Sequence, residues 1–207
     1  DTSYLGYMFG ASSYLENAAF VPAGLETVSF TNADHIGEGA FYDLSTIVSL
    51  SVNGDAASIG SLAFYGCSSV ASLSIPDSVT SIGKNAFNGC VMLNSLDLPK
   101  GLITIGEGAF AGCSSLTELE IPKSTTSIGF GALEDCTSIA ILSLPFAGGA
   151  ATENTFLGYI FGAESASAQA TFVPTTLTTV TTTSSAPVGI GAFKDVASIT
   201  SLTISKP

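Results

Sequence analysis

The sequence predicts a repeat solenoid, mostly β in content, with short parallel strands on one face and short helical or 3-10 turns on the other. Three observations predict it. Cys67, Cys90, Cys113 and Cys136 are spaced 23 residues apart each time. The residues before them repeat too: Ile59-Gly60, Ile82-Gly83, Ile105-Gly106 and Ile128-Gly129 lead into Ala63-Phe64, Ala86-Phe87, Ala109-Phe110 and Ala132-Leu133. After each cysteine comes a short run in which apolar and polar residues alternate. A fixed period of this length means one supersecondary unit per coil.

The coil at 105–127 shows each part. Leu116, Leu119 and Ile121 read as a short strand with Leu119 and Ile121 facing in. Pro122 ends it, because proline cannot donate to a ladder. Ile105, Ala109 and Phe110 form a second apolar cluster around one helical or 3-10 turn, and Gly106 and Gly112 allow the bends that close the coil. The strand pattern recurs at Leu25-Val28-Phe30, Ile47-Leu50-Val52, Val70-Leu73-Ile75, Leu93-Leu96-Leu98, Ile139-Leu142-Leu144, Leu177-Val180 and Ile199-Leu202-Ile204. Eight parallel strands in register are expected. Each coil supplies about six large apolar side chains, at roughly 1.5–3 kcal/mol for each one fully buried, which a lone coil could not set against its conformational entropy.

A longer period lies on top. Residues 1–55 match residues 153–207 at a constant offset of 152. Leu5-Gly6-Tyr7 returns as Leu157-Gly158-Tyr159, Phe9-Gly10-Ala11 as Phe161-Gly162-Ala163, and Phe20-Val21-Pro22 as Phe172-Val173-Pro174. The whole of 1–207 reads as a single solenoid. Longer coils near 1–35 and 145–187 carry inserts, and the 152-residue block is expected to run in tandem in a longer parent protein.

Composition narrows the function. The chain is 46% hydrophobic and only 11% charged, with a net charge of −12 and lysine as its only basic residue besides His35. Nucleic acid and anionic membrane are therefore poor partners. No apolar run is long enough to span a membrane, so no membrane insertion is expected. Asp1 opens directly into patterned sequence with no signal peptide, and the chain reads as a piece of something longer.

The cysteine column is an apolar one, since it holds Leu44 one coil earlier and Val196 in the last coil. Stacked thiols with parallel Cβ vectors suit a ladder better than bridges. Zinc needs four converging ligands, and His35 lies outside the column. The four cysteines are expected buried, reduced and without metal.

The motif Ile-Gly-x-x-Ala-Phe-x-Gly-Cys-x-x-Leu-x-x-Leu-x-Ile-Pro, nearly whole at 82–99 and 105–122, resembles the BspA-like, or Treponema-type, leucine-rich repeats. The resemblance covers essentially the whole chain, more weakly at 1–35 and 145–187. It implies a leucine-rich repeat solenoid from a bacterial protein that is extracellular or attached to the cell surface, often an adhesin. It brings no catalytic or ligand residues. The two Leu-Gly-Tyr-x-Phe-Gly-Ala coils are its departures, and they make this a variant with lateral loops.

No catalytic site, metal site or cofactor is expected. His35 has no serine or cysteine partner at a recognisable spacing, its counterpart is Pro187, and phosphate-cradling glycine loops are absent. The outward strand columns remain. One runs Thr27, Ser49, Ser72, Ser95, Glu118, Ile141, Thr179, Ser201, and the next Ser29, Ser51, Ser74, Asp97, Glu120, Ser143, Thr181, Thr203. Such faces are the binding surfaces of solenoids, although serine and threonine also simply suit an exposed sheet. Asp97, Glu118 and Glu120 form the candidate ligand patch: like charges side by side repel unless a cation or a basic partner answers them. Calcium and a basic segment of a partner fit equally. The inserts offer a second set of contacts, Tyr7, Phe9, Tyr159 and Phe161, if these side chains project; the first expectation is that they tuck onto the coil beneath.

The function expected from these features is non-catalytic recognition or adhesion, directed at a protein or glycan on another cell or host surface. The alternative is a structural array that assembles by end-to-end self-association.

Overall fold

Alternation places one apolar side chain inside for each polar one outside, and the short runs between turns become strands of two to five residues. In chain order these are β1 (Thr27–Thr31), β2 (Ser49–Asn53), β3 (Ser58–Ile59), β4 (Ser72–Ser74), β5 (Ser81–Ile82), β6 (Ser95–Asp97), β7 (Thr104–Ile105), β8 (Glu118–Glu120), β9 (Ser127–Ile128), β10 (Ile141–Leu144), β11 (Thr179–Thr182) and β12 (Ser201–Ile204). The structure, a computed structural model, describes residues 5–9, 11–31, 34–153 and 156–205, without the side chains of Phe9, Phe30 and Thr31.

The eight front strands are those the sequence predicts, and every pairing is parallel in the predicted register, as in Thr27 opposite Ser49 and Ile141 opposite Thr179. They form two four-stranded sheets, β1-β2-β4-β6 and β8-β10-β11-β12, with no ladder joining β6 to β8. A third sheet, β3-β5-β7-β9, runs unbroken along the back. It is absent from the sequence reading, because a two-residue strand is too short to show a period.

The turns also differ from expectation. After each back strand the regular coils close through hydrogen-bonded turns, in which Phe64, Phe87 and Phe110 donate their N–H groups to Ala86, Ala109 and Ala132 of the next coil at 2.7–2.8 Å. The 3-10 segments fall instead in the two inserts, at Leu5–Phe9, Tyr14–Glu16, Leu157–Phe161 and Gln169–Thr171.

One apolar cluster runs from Leu5 to Val180 between the front and back strands. Within it Phe41, Phe64, Phe87 and Phe110 stack ring on ring at 5.0–5.3 Å, with planes within 10° of parallel. The cysteine column lies alongside. All four thiols are buried and free, and each donates to the carbonyl of a phenylalanine in the coil before: Cys67 to Phe41, Cys90 to Phe64, Cys113 to Phe87 and Cys136 to Phe110, at 3.0–3.3 Å. Burial pushes Cys90 and Cys136 up to about 12 and raises Cys67 and Cys113 as well.

Coils approach most closely at the Ile-Gly motif. A Cβ on Gly106 would sit 2.6 Å from the backbone of Gly83 and Lys84, so glycine is required there by contact with the coil before. Gly112 is required for its conformation, with φ at +72°.

Two outcomes follow for stability. Gly106→Ala is expected to destabilise by about 1–3 kcal/mol, as forced overpacking does. Gly101→Ala, whose Cβ would meet only the Asp77 carbonyl at 3.9 Å, should be neutral or stabilising by up to about 1 kcal/mol. Paired urea melts check both.

Raised thiol pKa values make the fold sensitive to alkali. Above the ordinary value near 9, the unfolded chain releases thiol protons that the folded chain keeps. Stability conferred by each neutral thiol is therefore full below pH 9 and falls towards pH 12, at about 1.4 kcal/mol per pH unit per thiol. Ellman titration at pH 8 should find close to none of the four thiols in native protein and all four after denaturation without reductant. Two or fewer after denaturation would mean that bridges exist.

Candidate functional site

The break between β6 and β8 sets the site. Were the ladder continuous, Ser95 would face Glu118 and Asp97 would face Glu120 one strand spacing apart. Two carboxylates side by side on parallel strands repel, and this is the place where the front ladder stops. The sequence columns bring Asp97, Glu118 and Glu120 to one place, and the structure keeps them there, all three exposed.

A groove of about 760 Å³ lies over the break, lined by Asp97, Glu118, Glu120, Ser95, Ile141 and Ser143. Asp77, Lys100 and Lys123 line it too, and the strand columns miss them because they lie in the turns. A signal was there: each follows the proline that ends its strand, at Pro76-Asp77, Pro99-Lys100 and Pro122-Lys123. The lysines are not tied down. Among the described residues the ion pairs are Lys84 with Glu107 and Lys194 with Asp195, away from the groove. The carboxylates do not converge: among the described residues no three histidine, cysteine, aspartate or glutamate side chains are placed to hold a metal ion. The groove thus offers a mixed, mainly acidic strip, with the exposed Ile141 as its apolar spot. Elsewhere on the front face hydroxyls answer one another, as where Ser51 donates to the Ser29 hydroxyl at 3.1 Å. His35 is an exposed side chain next to the bridge formed by Ile36.

The inserts are built on a buried amide. Asn17 accepts from the Gly6 N–H at 2.8 Å and donates to the Gly39 carbonyl at 3.1 Å. Gln169, at the same place 152 residues on, accepts from the Gly158 N–H at 3.0 Å and donates to the Gly191 and Lys194 carbonyls at 3.0 and 2.9 Å. Each amide ties the first 3-10 segment of its insert to the next coil. The sequence comparison hides this pair because the residue types differ.

In the second insert the expected tucking holds. Leu157, Ile160 and Phe161 are buried, and Tyr159 is half-buried, edge-on to Phe130 and Phe156 at 5.4 and 6.1 Å. The carbonyls of Tyr159 and Ile160 accept from the N–H groups of Gly131 and Leu133 at 3.0 and 2.7 Å, so the insert continues the ladder. Phe161 is part of the core and is not presented to a partner. In the first insert Leu5 is buried, but Tyr7 and Met8 are 52% and 76% exposed. The Phe9 side chain lies outside the described residues.

Phe161→Ala is expected to cost about 3–5 kcal/mol, as truncation of a buried phenylalanine does. Gln169→Leu should cost roughly 3 kcal/mol or more, because it leaves one buried N–H and two carbonyls without partners. An unchanged melting temperature in either variant would show that the insert is not anchored.

The family model for the BspA type leucine rich repeat region matches residues 13–140 in six copies. Among solved structures, the leucine-rich repeat protein of T. pallidum, TpLRR, is similar at 22% identity and a TM-score of 0.53, over 86% of this chain and 74% of that one. A leucine-rich repeat protein from Eubacterium ventriosum is similar at 21% identity and a TM-score of 0.51, over 86% of this chain and 48% of that one. A leucine rich cell surface protein from Faecalibacterium prausnitzii aligns at 18% identity and a TM-score of 0.48, over 89% of this chain and 49% of that one. The first two likenesses carry the fold, and the chain spans about half the length of the last two. No curated protein matches the chain. Among the described residues no helix is long and apolar enough to cross a membrane.

Proposed function

The chain belongs to the BspA-type leucine-rich repeat family, and from that membership we propose that it is a non-catalytic recognition module of a bacterial cell surface. The groove over the β6–β8 break carries the reading. A front face otherwise covered by serine and threonine is interrupted at one place, where carboxylates crowd and neighbouring strands lie side by side without a ladder between them. Its partner is a protein with a basic, extended segment on another cell or host surface. Calcium is the weaker of the two ligands weighed, because the carboxylates do not converge. Adhesion follows if that partner is displayed on a cell.

A second reading, a self-assembling array, has one observation in its favour. Residues 1–55 return as residues 153–207 at a constant offset of 152, and units built alike can stack on one another as their coils do.

The test is the triple variant Asp97→Ser, Glu118→Ser, Glu120→Ser. Wild type is expected to bind cells and an immobilised lysine-rich peptide in a salt-dependent way, and the variant about tenfold more weakly or not at all. Relief of repulsion should also raise stability, by roughly 0.2–1 kcal/mol per pair. Equal binding by the two proteins would remove the groove as the recognition site. Light scattering that grows with concentration, without any partner, would favour the array.

A further inference from the structure

We propose that Phe20 and Phe172 form a pair of identical contact points for a neutral glycan, one on each insert. They are the same position of the 152-residue block, and they are 45% and 43% exposed. Phe20 ends the helical turn that begins at the buried Asn17, and Phe172 follows the one that begins at Gln169. The same hydrogen bond closes both, with Val21 and Val173 donating to the carbonyls of Asn17 and Gln169 at 2.9 Å.

Repetition within one chain separates what is held from what drifts. Exposed positions around the ring have changed between the two inserts: Leu15 is replaced by Ser167, Ala19 by Thr171 and Ala23 by Thr175. The exposed ring has not, and nor have Ala18 and Pro22, which return as Ala170 and Pro174. In both inserts the next residue, valine, fills the core, while each phenylalanine keeps nearly half of its surface exposed.

Area and charge name the occupant. A half-exposed phenylalanine offers on the order of 100 Å² of apolar surface, whereas a stable protein interface needs about 800 Å² per partner. One ring matches one pyranose ring: the axial C–H groups of a sugar with equatorial hydroxyls carry partial positive charge and stack on the negative face of the aromatic ring. No charged residue lies between Asn17 and Leu25 or between Gln169 and Thr179, and the charges that flank Phe20 in sequence, Glu16 and Glu26, are both acidic, so an anionic sugar is disfavoured and a neutral one fits both inserts. From β1 through β2, β4, β6, β8 and β10 to β11 is six steps along the stack. At a strand spacing of ~4.8 Å the two rings are about 29 Å apart. A polysaccharide can span both, and each weak contact then reinforces the other.

The site is separate from the front groove, so the Asp97, Glu118, Glu120 triple variant serves as a control that should keep it. The experiment measures binding of cello-oligosaccharides, N-acetylglucosamine oligomers and their soluble polymers by affinity electrophoresis and calorimetry. Wild type should bind at least one polymer about tenfold or more tightly than its short oligomer. Phe20→Ala or Phe172→Ala alone should abolish that advantage while keeping oligomer binding. The double variant should lose both, and Phe→Tyr at both positions should keep them. All variants should melt with wild type. The proposal is overturned if wild type binds no member of the panel, or if the double variant binds as wild type does. It also fails if either alanine variant melts well below wild type, which would make the ring a packing element. Sedimentation showing self-association lost with the two rings would assign them to a second copy of the chain instead.

Discussion

The structure depends on one constraint: each residue's nearest neighbour outside its own coil is the residue at the same position of the next coil. Parallel in-register stacking imposes it, and a position is occupied only by residues that tolerate themselves at one strand spacing. Phenylalanine does, stacking face to face at 5.0–5.3 Å. Cysteine does, because its thiol reaches the carbonyl of a phenylalanine in the coil before instead of another thiol. Glycine at the Ile-Gly motif does because backbone meets backbone with no room for a Cβ. The alkali sensitivity of the thiols comes from the same arrangement, since a column of small hydrophobes is dry along its length.

Carboxylates do not meet the constraint. On the back of the solenoid a charged column is balanced by opposite signs, Lys84 against Glu107 at 2.9 Å. On the front, Asp97 would meet Glu120 and the ladder is interrupted. The back sheet and the Phe87–Phe110 stack cross the same level without a break. The coils therefore stay joined at the back while the front loses its strand pairing, and a groove lies there. The local conflict costs pairing energy.

How far the sequence could be read follows from the same physics. Columns with a period of 23 residues give the front strands, their register and the buried faces directly, because burial repeats with the coil. The column reading also brings Asp97, Glu118 and Glu120 together. What it misses is set by geometry that does not repeat. The break in the ladder is a pairwise event between two coils. Asp77, Lys100 and Lys123 lie past the strand-ending prolines, where a strand pattern is no longer being followed. The strand β3 and its partners are two residues long, so no alternation betrays them. Asn17 and Gln169 occupy one role with two residue types, and only the shared hydrogen bonds to Gly6 and Gly158 make them equivalent.

That last pair decides what kind of surface the inserts present. A buried amide that bonds both its own 3-10 segment and the next coil cannot be withdrawn without stranding polar groups away from water, at about 1–3 kcal/mol for each group. Asn17 and Gln169 are both buried completely, and the longer Gln169 spends its extra reach on a further carbonyl, that of Lys194. The inserts are therefore fixtures of the stack and not lids over it. An aromatic ring carried on such a fixture is already ordered before anything touches it, so binding there does not incur the ordering entropy that loops and long side chains lose at an interface. A contact of small area can be useful under that condition, provided it is repeated, and the 152-residue block repeats it.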